Sequence, residues 1–312
     1  MPAPSQVSAP PLLTGTILRA RSGFYTVETD QGLIECQLRG RIKRERRSTD
    51  LAVIGDRASV SLLTDTTGVV EAIAPRDSRF SRRQPGPRGT WKEDVMVANL
   101  DQVLVVFACA DPMPNPRLVD RFLAVAETNE IEAAVVVNKV DLCGAEHARA
   151  EFRRYEELGY TVHYVSALEG IGLESLRERL RGRISVVTGP SGVGKSTLLN
   201  ALQPGLRLDT GAVSEALHKG RHTTTVAELL PLADGGYVAD TPGLRELALW
   251  ETSPSELAQA FVEFRPYLGS CGFNDCRHLD EPRCAVRAAL NEGAIAPERY
   301  DSYRRMLATA PA

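Results

Sequence analysis

From Thr14 to Ile73 the apolar and β-branched residues come in short runs separated by turn formers. Thr16–Leu18, Phe24–Thr29, Leu33–Leu38, Arg57–Leu62 and Gly68–Ile73 read as strands, and Asp30-Gln31-Gly32 and Asp65-Thr66-Thr67-Gly68 as turns. Five short strands in so short a stretch predict a small β-barrel, with the OB-fold as first choice. The pattern then changes. Val103–Ala108, Ala133–Val137, Val162–Val165 and Ile184–Val187 are continuous apolar runs, as expected of strands covered on both faces. Helix-like stretches at 117–129, 146–158 and 173–181 separate them, which predicts a parallel α/β sheet. Beyond about residue 250 the chain is helical and charged. The expected organisation is a flexible Pro/Ala/Ser-rich tail over 1–12, a barrel over 13–75, a basic linker over 76–94, an α/β domain over 95–250 and a mostly helical domain over 251–312.

A chain of 312 residues suits two to three such domains. Hydrophobic residues make up 43% and charged residues 25%, which excludes a disordered, collagen-like or coiled-coil chain. The net charge of −3 hides an asymmetry: residues 1–98 hold 15 basic against 11 acidic side chains, and the remainder 22 against 29. Arg39–Arg47 carries six basic residues in nine, and Arg76, Arg79, Arg82, Arg83, Arg88 and Lys92 follow. Basic runs are usually solvated loops, but beside an OB-like barrel they favour contact with RNA phosphates. Phe24, Tyr25 and Trp91 are the candidates for base stacking.

The apolar run Val103–Ala110 is far short of the ~18 residues of a membrane span. Met1–Ser5 also lacks the start of a signal peptide. A cytoplasmic protein with no membrane partner is expected, and in that compartment cysteines are not expected to form disulfides. Cys36, Cys109 and Cys143 then read as plain core or surface residues.

Gly189-Pro190-Ser191-Gly192-Val193-Gly194-Lys195-Ser196 fits G-x-x-x-x-G-K-[ST], with a strand before it and the helical Thr197–Leu202 after it. The glycines let backbone N–H groups wrap an anion at a helix N-terminus. Lys195 would reach the β- and γ-phosphates, and the Ser196 hydroxyl would ligate Mg²⁺. Asp240-Thr241-Pro242-Gly243 follows another strand; Asp240 can hold Mg²⁺ through water and the Gly243 N–H can sense the γ-phosphate. Between them, Gly220-Arg221-His222-Thr223-Thr224-Thr225 can offer a further hydroxyl to Mg²⁺. Asn138-Lys139-Val140-Asp141 closes the strand 133–137. An Asp there accepts from guanine N1–H and N2–H, which adenine does not offer. Asn138 supports the loop, the Lys139 stem covers the ring, and Ser166-Ala167-Leu168 presents a backbone N–H to guanine O6.

In ordinary GTPases the phosphate loop precedes N-K-x-D. Here the base motifs come first, then 189–196, then 240–243, which is a circular permutation. With a barrel ahead and a Cys/His segment behind, the chain resembles the RsgA (YjeQ) family of circularly permuted GTPases over roughly residues 13–310. The resemblance implies binding of guanine nucleotide (GTP or GDP with Mg²⁺) and GTP hydrolysis stimulated by the small ribosomal subunit. It also implies a role in late maturation of that subunit, with the subunit and its rRNA as partners.

Leu244 stands after Gly243, where many GTPases place a water-orienting Gln. Slow intrinsic turnover is therefore expected, with His222 as the alternative water-positioning residue or a mere RNA contact. The family position points to Thr224 as the Mg²⁺ hydroxyl, Thr223 and Thr225 being alternatives. Cys271-x4-Cys276-x-His278-x5-Cys284 offers a complete Cys₃His set, suited to one structural zinc ion. The resemblance matches it to the family's zinc site. The competing readings are a nucleotide-gated RNA-binding module with little hydrolysis, which Leu244 favours, and an ATP-dependent P-loop protein, which Asp141 opposes. Nothing in the sequence demands more than a monomer.

Overall fold

The computed structural model describes residues 12–40, 42, 52–85, 91–203, 228–240 and 253–309, with the side chains of 82–85, 91–94 and 240 left out. The chain divides into two compact units, Met1–Leu100 with Thr225–Leu230, and Asp101–Thr224 with Pro231–Ala312. Among the described residues no helix is long and apolar enough to cross a membrane.

The first unit is a five-stranded barrel of β1 (Leu13–Arg21), β2 (Phe24–Thr29), β3 (Gly32–Leu38), β4 (Arg57–Leu62) and β5 (Thr67–Ile73). Pairing runs β1–β2–β3–β5–β4 and returns from β4 to β1; β3–β5 is parallel and the rest antiparallel. The alternation of β3 sends Ile34, Cys36 and Leu38 inward onto Ile17, Val27, Val60 and Val70. Closure of so small a barrel needs close backbone approach at Gly15, where a Cβ would lie 2.2 Å from the Glu28 carbonyl oxygen. Within the stretch expected as a linker, β6 (Arg79–Pro85) and β7 (Trp91–Ala98) pair as an antiparallel hairpin, with Phe80, Val95 and Val97 buried. β12 (Glu228–Pro231) joins β1 through Arg19 and Glu228, which also form an ion pair.

The second unit is built on a parallel sheet of β8 (Gln102–Ala108), β9 (Glu132–Asn138), β10 (Thr161–Tyr164), β11 (Ile184–Thr188) and β13 (Tyr237–Asp240). Its order is β10-β9-β8-β11-β13, so the strand before the phosphate motif lies inside the sheet. The helices are α1 (Pro116–Thr128), α2 (Val140–Cys143), α3 (Ala145–Glu157), α4 (Leu173–Leu180) and α5 (Lys195–Leu202). Leu104, Val106 and Val136 from the sheet pack with Leu176 and Leu198 from the helices. α1 begins with Asn115 accepting from the Arg117 N–H and with Pro116 at its first position.

α6 (Pro254–Ala260), a 3-10 turn (Val262–Tyr267), α7 (Ala285–Asn291) and α8 (Pro297–Thr309) form the C-terminal part of the same unit. Their core is aromatic: Phe261, Phe264, Tyr300 and Tyr303 stack with ring centroids 5.1–6.4 Å apart. A buried ion cluster joins this part to α1. Arg299 donates to Asp120 at 2.8 Å and to Glu263 at 2.6 and 3.1 Å, and the Ser302 hydroxyl donates to Asp120 at 2.5 Å. Arg299 and Asp120 are 2% and 1% exposed, so both charges are satisfied within the protein, Asp120 accepting as well from the Tyr155 hydroxyl at 3.1 Å.

Candidate nucleotide and metal sites

The phosphate motif is shaped by backbone that only glycine adopts freely. Gly189 leaves β11 at φ +138°, and a Cβ there would meet the Val106 carbonyl oxygen at 2.0 Å. Gly194 caps α5 at φ +89°, with its Cβ position 2.5 Å from Asn138 Nδ2. This is a cradle in which side chains are excluded and backbone comes close to whatever the loop holds. Lys195 Nζ donates to the carbonyls of Gly189 and Pro190 at 2.7 and 2.6 Å, folding its ammonium back across the loop. Ser196 follows in the first turn of α5, half-buried.

The base motif reaches the same edge of the sheet. Asn138 ends β9 with 2% exposure, and both ends of its amide are in use. Its Nδ2 donates to the Val193 carbonyl at 2.9 Å, and its Oδ1 accepts from the Ala167 N–H at 3.1 Å. One side chain thus ties the phosphate loop to the Ser166–Leu168 loop. Its amide is used entirely within the protein, on the backbone of the two loops. Lys139 adopts φ +63°, and its ammonium donates to the Asp111 carbonyl. Asp141 lies exposed in the first turn of α2. Ser166 is buried, its hydroxyl accepting from the Glu169 N–H at 3.1 Å. The Val140 N–H donates to Val165 O at 3.2 Å and completes the lattice between the two base loops. The structure therefore brings Asn138, Lys139, Asp141, Ser166, Ala167 and Gly189–Thr197 to the C-terminal ends of β9, β10 and β11, where open α/β sheets bind ligands. Asp240 ends β13, parallel to β11. His222, Thr223, Thr224, Thr225, Gly243 and Leu244 lie outside the described residues, as does the side chain of Asp240.

No spacing in the sequence signals a covalent link at this edge. Cys109 and Cys143, expected as plain residues, are joined in a disulfide with Cα atoms 6.4 Å apart. The parallel order places the end of β8 beside the end of β9, and α2 carries Cys143 back over it. A separation of 34 residues conceals this from spacing alone.

Cys271, Cys276, His278 and Cys284 converge, with all ligand atoms within 4.8 Å of one another. His278 Nδ1 lies 3.6 Å from Cys271 Sγ and 3.4 Å from Cys284 Sγ. A tetrahedral zinc with bonds of about 2.3 Å to sulfur and about 2.0 Å to nitrogen sets such atoms about 3.6 Å apart, so the donor set fits that ion. Backbone N–H groups of Ala285 and Arg287 point at the sulfurs of Cys271 and Cys284, at 3.4 and 3.5 Å. Around the cluster, Tyr300 and Tyr303 donate to the His278 and Arg277 carbonyls at 2.6 and 2.7 Å, which fixes the loop that presents the imidazole. Burial favours the neutral imidazole of His278, and it pushes the Cys276 thiol up to about 12 and the Cys284 thiol upward.

On the barrel, Phe24 is 53% exposed while Tyr25 is buried, so Phe24 is the stacking candidate that faces outward. It borders a hollow of about 520 Å³ lined by Arg19, Arg21, Thr26, Glu35 and Glu228. Arg76 is not a free cation. It donates to the fully buried Asp56 at 2.7 and 2.9 Å and is a structural partner of the barrel. Of the run 39–47, residues 41 and 43–47 lie outside the described residues, as do Arg88 and the side chains of Arg82, Arg83, Trp91 and Lys92.

Comparison with known proteins agrees with this geometry. The family model of the RsgA N-terminal domain matches residues 14–70, and that of the RsgA GTPase matches residues 73–250. A protein of Gemmatimonas aurantiaca named small ribosomal subunit biogenesis GTPase RsgA is 47% identical over 296 residues, 94% of this chain and 96% of that one. One of the same name from Caldanaerobacter subterraneus is 41% identical over 295 residues, 95% of each chain. Among solved structures, YjeQ from Thermotoga maritima superposes with a TM-score of 0.78 at 36% identity, covering 96% of this chain and all of that one. YloQ, described as a circularly permuted GTPase, superposes with a TM-score of 0.74 at 30% identity, covering 97% and 96%. The two family models together with relatives matched over nearly the whole length of the chain show the family: the chain belongs to the RsgA family of circularly permuted GTPases.

Proposed function

We propose that this protein hydrolyses GTP to GDP and phosphate as a switch in late maturation of the small ribosomal subunit, and that the subunit stimulates the reaction. The observation that carries the reading is Asn138, which locks a guanine-type base loop to a phosphate loop through one buried amide. Gly189–Thr197 would hold the phosphates, Asp141 the guanine N1–H and N2–H, and the Ser166–Ala167 backbone the guanine O6. The Lys195 ammonium would leave the loop carbonyls for the β- and γ-phosphate oxygens. Ser196, Thr224 and Asp240 would hold Mg²⁺, which when bound neutralises charge developing on the β- and γ-phosphates. In the reaction a water oxygen bonds to the γ-phosphorus and the bond to the β,γ-bridging oxygen breaks. His222 is the residue proposed to orient that water. With Leu244 beside Gly243, turnover is slow until the subunit brings His222 to that water.

The Cys₃His cluster is assigned one structural zinc ion, held by Cys271, Cys276, His278 and Cys284. Residues 13–75 are assigned to rRNA contact, with Phe24 and its flanking arginines as the surface. Residues 95–250 are assigned to the nucleotide and 251–312 to the zinc domain. The protein is read as a cytoplasmic monomer. The test is turnover of GTP and ATP by the purified protein, alone and with isolated small subunits. Slow GTP hydrolysis that rises steeply with subunits and is lost in His222→Ala is the expected result. Flat turnover despite tight GTP binding would overturn the switch, and equal use of ATP would overturn the base assignment.

A further inference from the structure

The disulfide sits on the base loop. Cys109 is the first residue after β8 and Cys143 the last of α2, two positions beyond Asp141. The Cys109 N–H donates to the Asn138 carbonyl at 2.9 Å, and its sulfur lies 3.0 Å from the Lys139 carbonyl oxygen. The bridge therefore closes over the short segment that carries Asn138, Lys139 and Asp141 and fastens its far end to the sheet. The two sulfurs differ in access: Cys109 is 2% exposed, whereas Cys143 is half-buried at the surface. Neither thiol has a part in the proposed hydrolysis. The Cα separation is within the range a disulfide spans without backbone movement, so closing the bond leaves the loop as it stands.

We infer that Cys109 and Cys143 form a reversible oxidation site that clamps the base loop, so that the oxidised protein releases guanine nucleotide more slowly than the reduced one. The inference rests on the reading of Asn138–Asp141 as the base loop. A peroxide is the oxidant. The Cys143 thiol attacks one peroxide oxygen, giving a sulfenic acid and water; the Cys109 thiol then displaces the sulfenic hydroxyl as a second water and forms the S–S bond. Two thiols lose two hydrogens in all, and one hydrogen peroxide becomes two waters. A dithiol reductant reverses the step by exchange. The link to release is mechanical. Dissociation of the base requires the 138–143 segment to lift, and a cross-link from α2 to the end of β8 removes most of the open conformations it can reach.

The experiment uses the zinc-loaded full-length protein with a fluorescent GDP analogue, chased by excess GDP. Release is timed after treatment with dilute hydrogen peroxide and after treatment with a phosphine reductant. Peptide mapping follows the Cys109–Cys143 cross-link in each sample. The expected result is release at least threefold slower in the oxidised protein, restored by reduction. Cys143→Ser and, separately, Cys109→Ser should release at the reduced wild-type rate under both treatments. Equal rates in the two wild-type states overturn the inference. So does absence of the cross-linked peptide after peroxide, or a redox difference that persists in both serine variants, which would assign it to the zinc thiols. Failure to bind GDP in either state would remove the reading of the base loop and the clamp with it.

Discussion

Replacing Asn138 tests whether a single buried amide sets the whole nucleotide edge. Asn138→Ala removes the donor to Val193 O and the acceptor of the Ala167 N–H, at 2.9 and 3.1 Å. Val193 is buried and Ala167 half-buried, so neither orphaned backbone group is freely rehydrated. Each costs about 1–3 kcal/mol when left unpaired, so together about 2–6 kcal/mol is lost at this edge. Because GDP must then supply the order that the amide no longer supplies, the same energy is withdrawn from binding, at least about thirtyfold in Kd. Asn138→Asp keeps the acceptor for Ala167 but sets a carboxylate oxygen against the Val193 carbonyl, and should bind no better than the alanine variant. Calorimetric titration with GDP gives Kd, and thermal unfolding of the zinc-loaded protein gives the stability change. Wild-type affinity and wild-type midpoint in Asn138→Ala would refute the argument that this side chain couples the two loops.

Asp141 is exposed and carries no loop, so Asp141→Asn should leave the unfolding midpoint unchanged while shifting preference from guanine to xanthine nucleotide, read by competition binding. Arg299→Met leaves the Asp120 and Glu263 carboxylates buried without their cation, a loss of about 3–5 kcal/mol that urea unfolding should register. Zinc uptake should strengthen as pH rises, because the Cys276 and Cys284 thiols, both held above their ordinary range by burial, must give up protons to bind it. Calorimetry in buffers of different ionisation enthalpy should find at least two protons released per ion, and acidification below neutrality should release the metal. Phe24→Ala, at an exposed position, should lower affinity for small-subunit RNA about tenfold without moving the midpoint, as loss of one base stack would.

Much of this architecture is legible in local pattern because local physics dictates it. Barrel strands such as β3 alternate because one face is wet, and sheet strands such as β8 do not because both faces are covered. The phosphate and base motifs are legible because anion wrapping and guanine recognition demand fixed residue types at fixed spacing. The hairpin Arg79–Ala98 was not legible. Its charge and its Pro and Gly content resemble a linker, and what orders it is the burial of Phe80, Val95 and Val97. Arg76 was hidden for the same reason: its partner Asp56 stands twenty residues away, and in sequence it is one more basic residue in a basic run.

The ion cluster at Arg299 marks where local reading stops. Asp120 lies 179 residues before Arg299 and 182 before Ser302, so no window of sequence pairs them. Yet the cluster bears directly on how nucleotide and zinc parts hold together. The segment that leaves β8 at Cys109 carries the Asp111 carbonyl to Lys139 and then becomes α1. About one turn later α1 presents Asp120 to Arg299 and Ser302 of α8, the helix whose Tyr300 and Tyr303 brace the loop of the Cys₃His cluster. The contacts of Asp120 with Arg299 and Ser302, and of Tyr300 with the His278 carbonyl, are buried and satisfied, the arrangement that resists sliding, because a shift of any member would strand a charge or a carbonyl away from water. A parallel sheet alone would leave α8 free to slip on apolar side chains. The charged cluster fixes one register between α1 and α8, and with it the position of the zinc loop relative to the base loop.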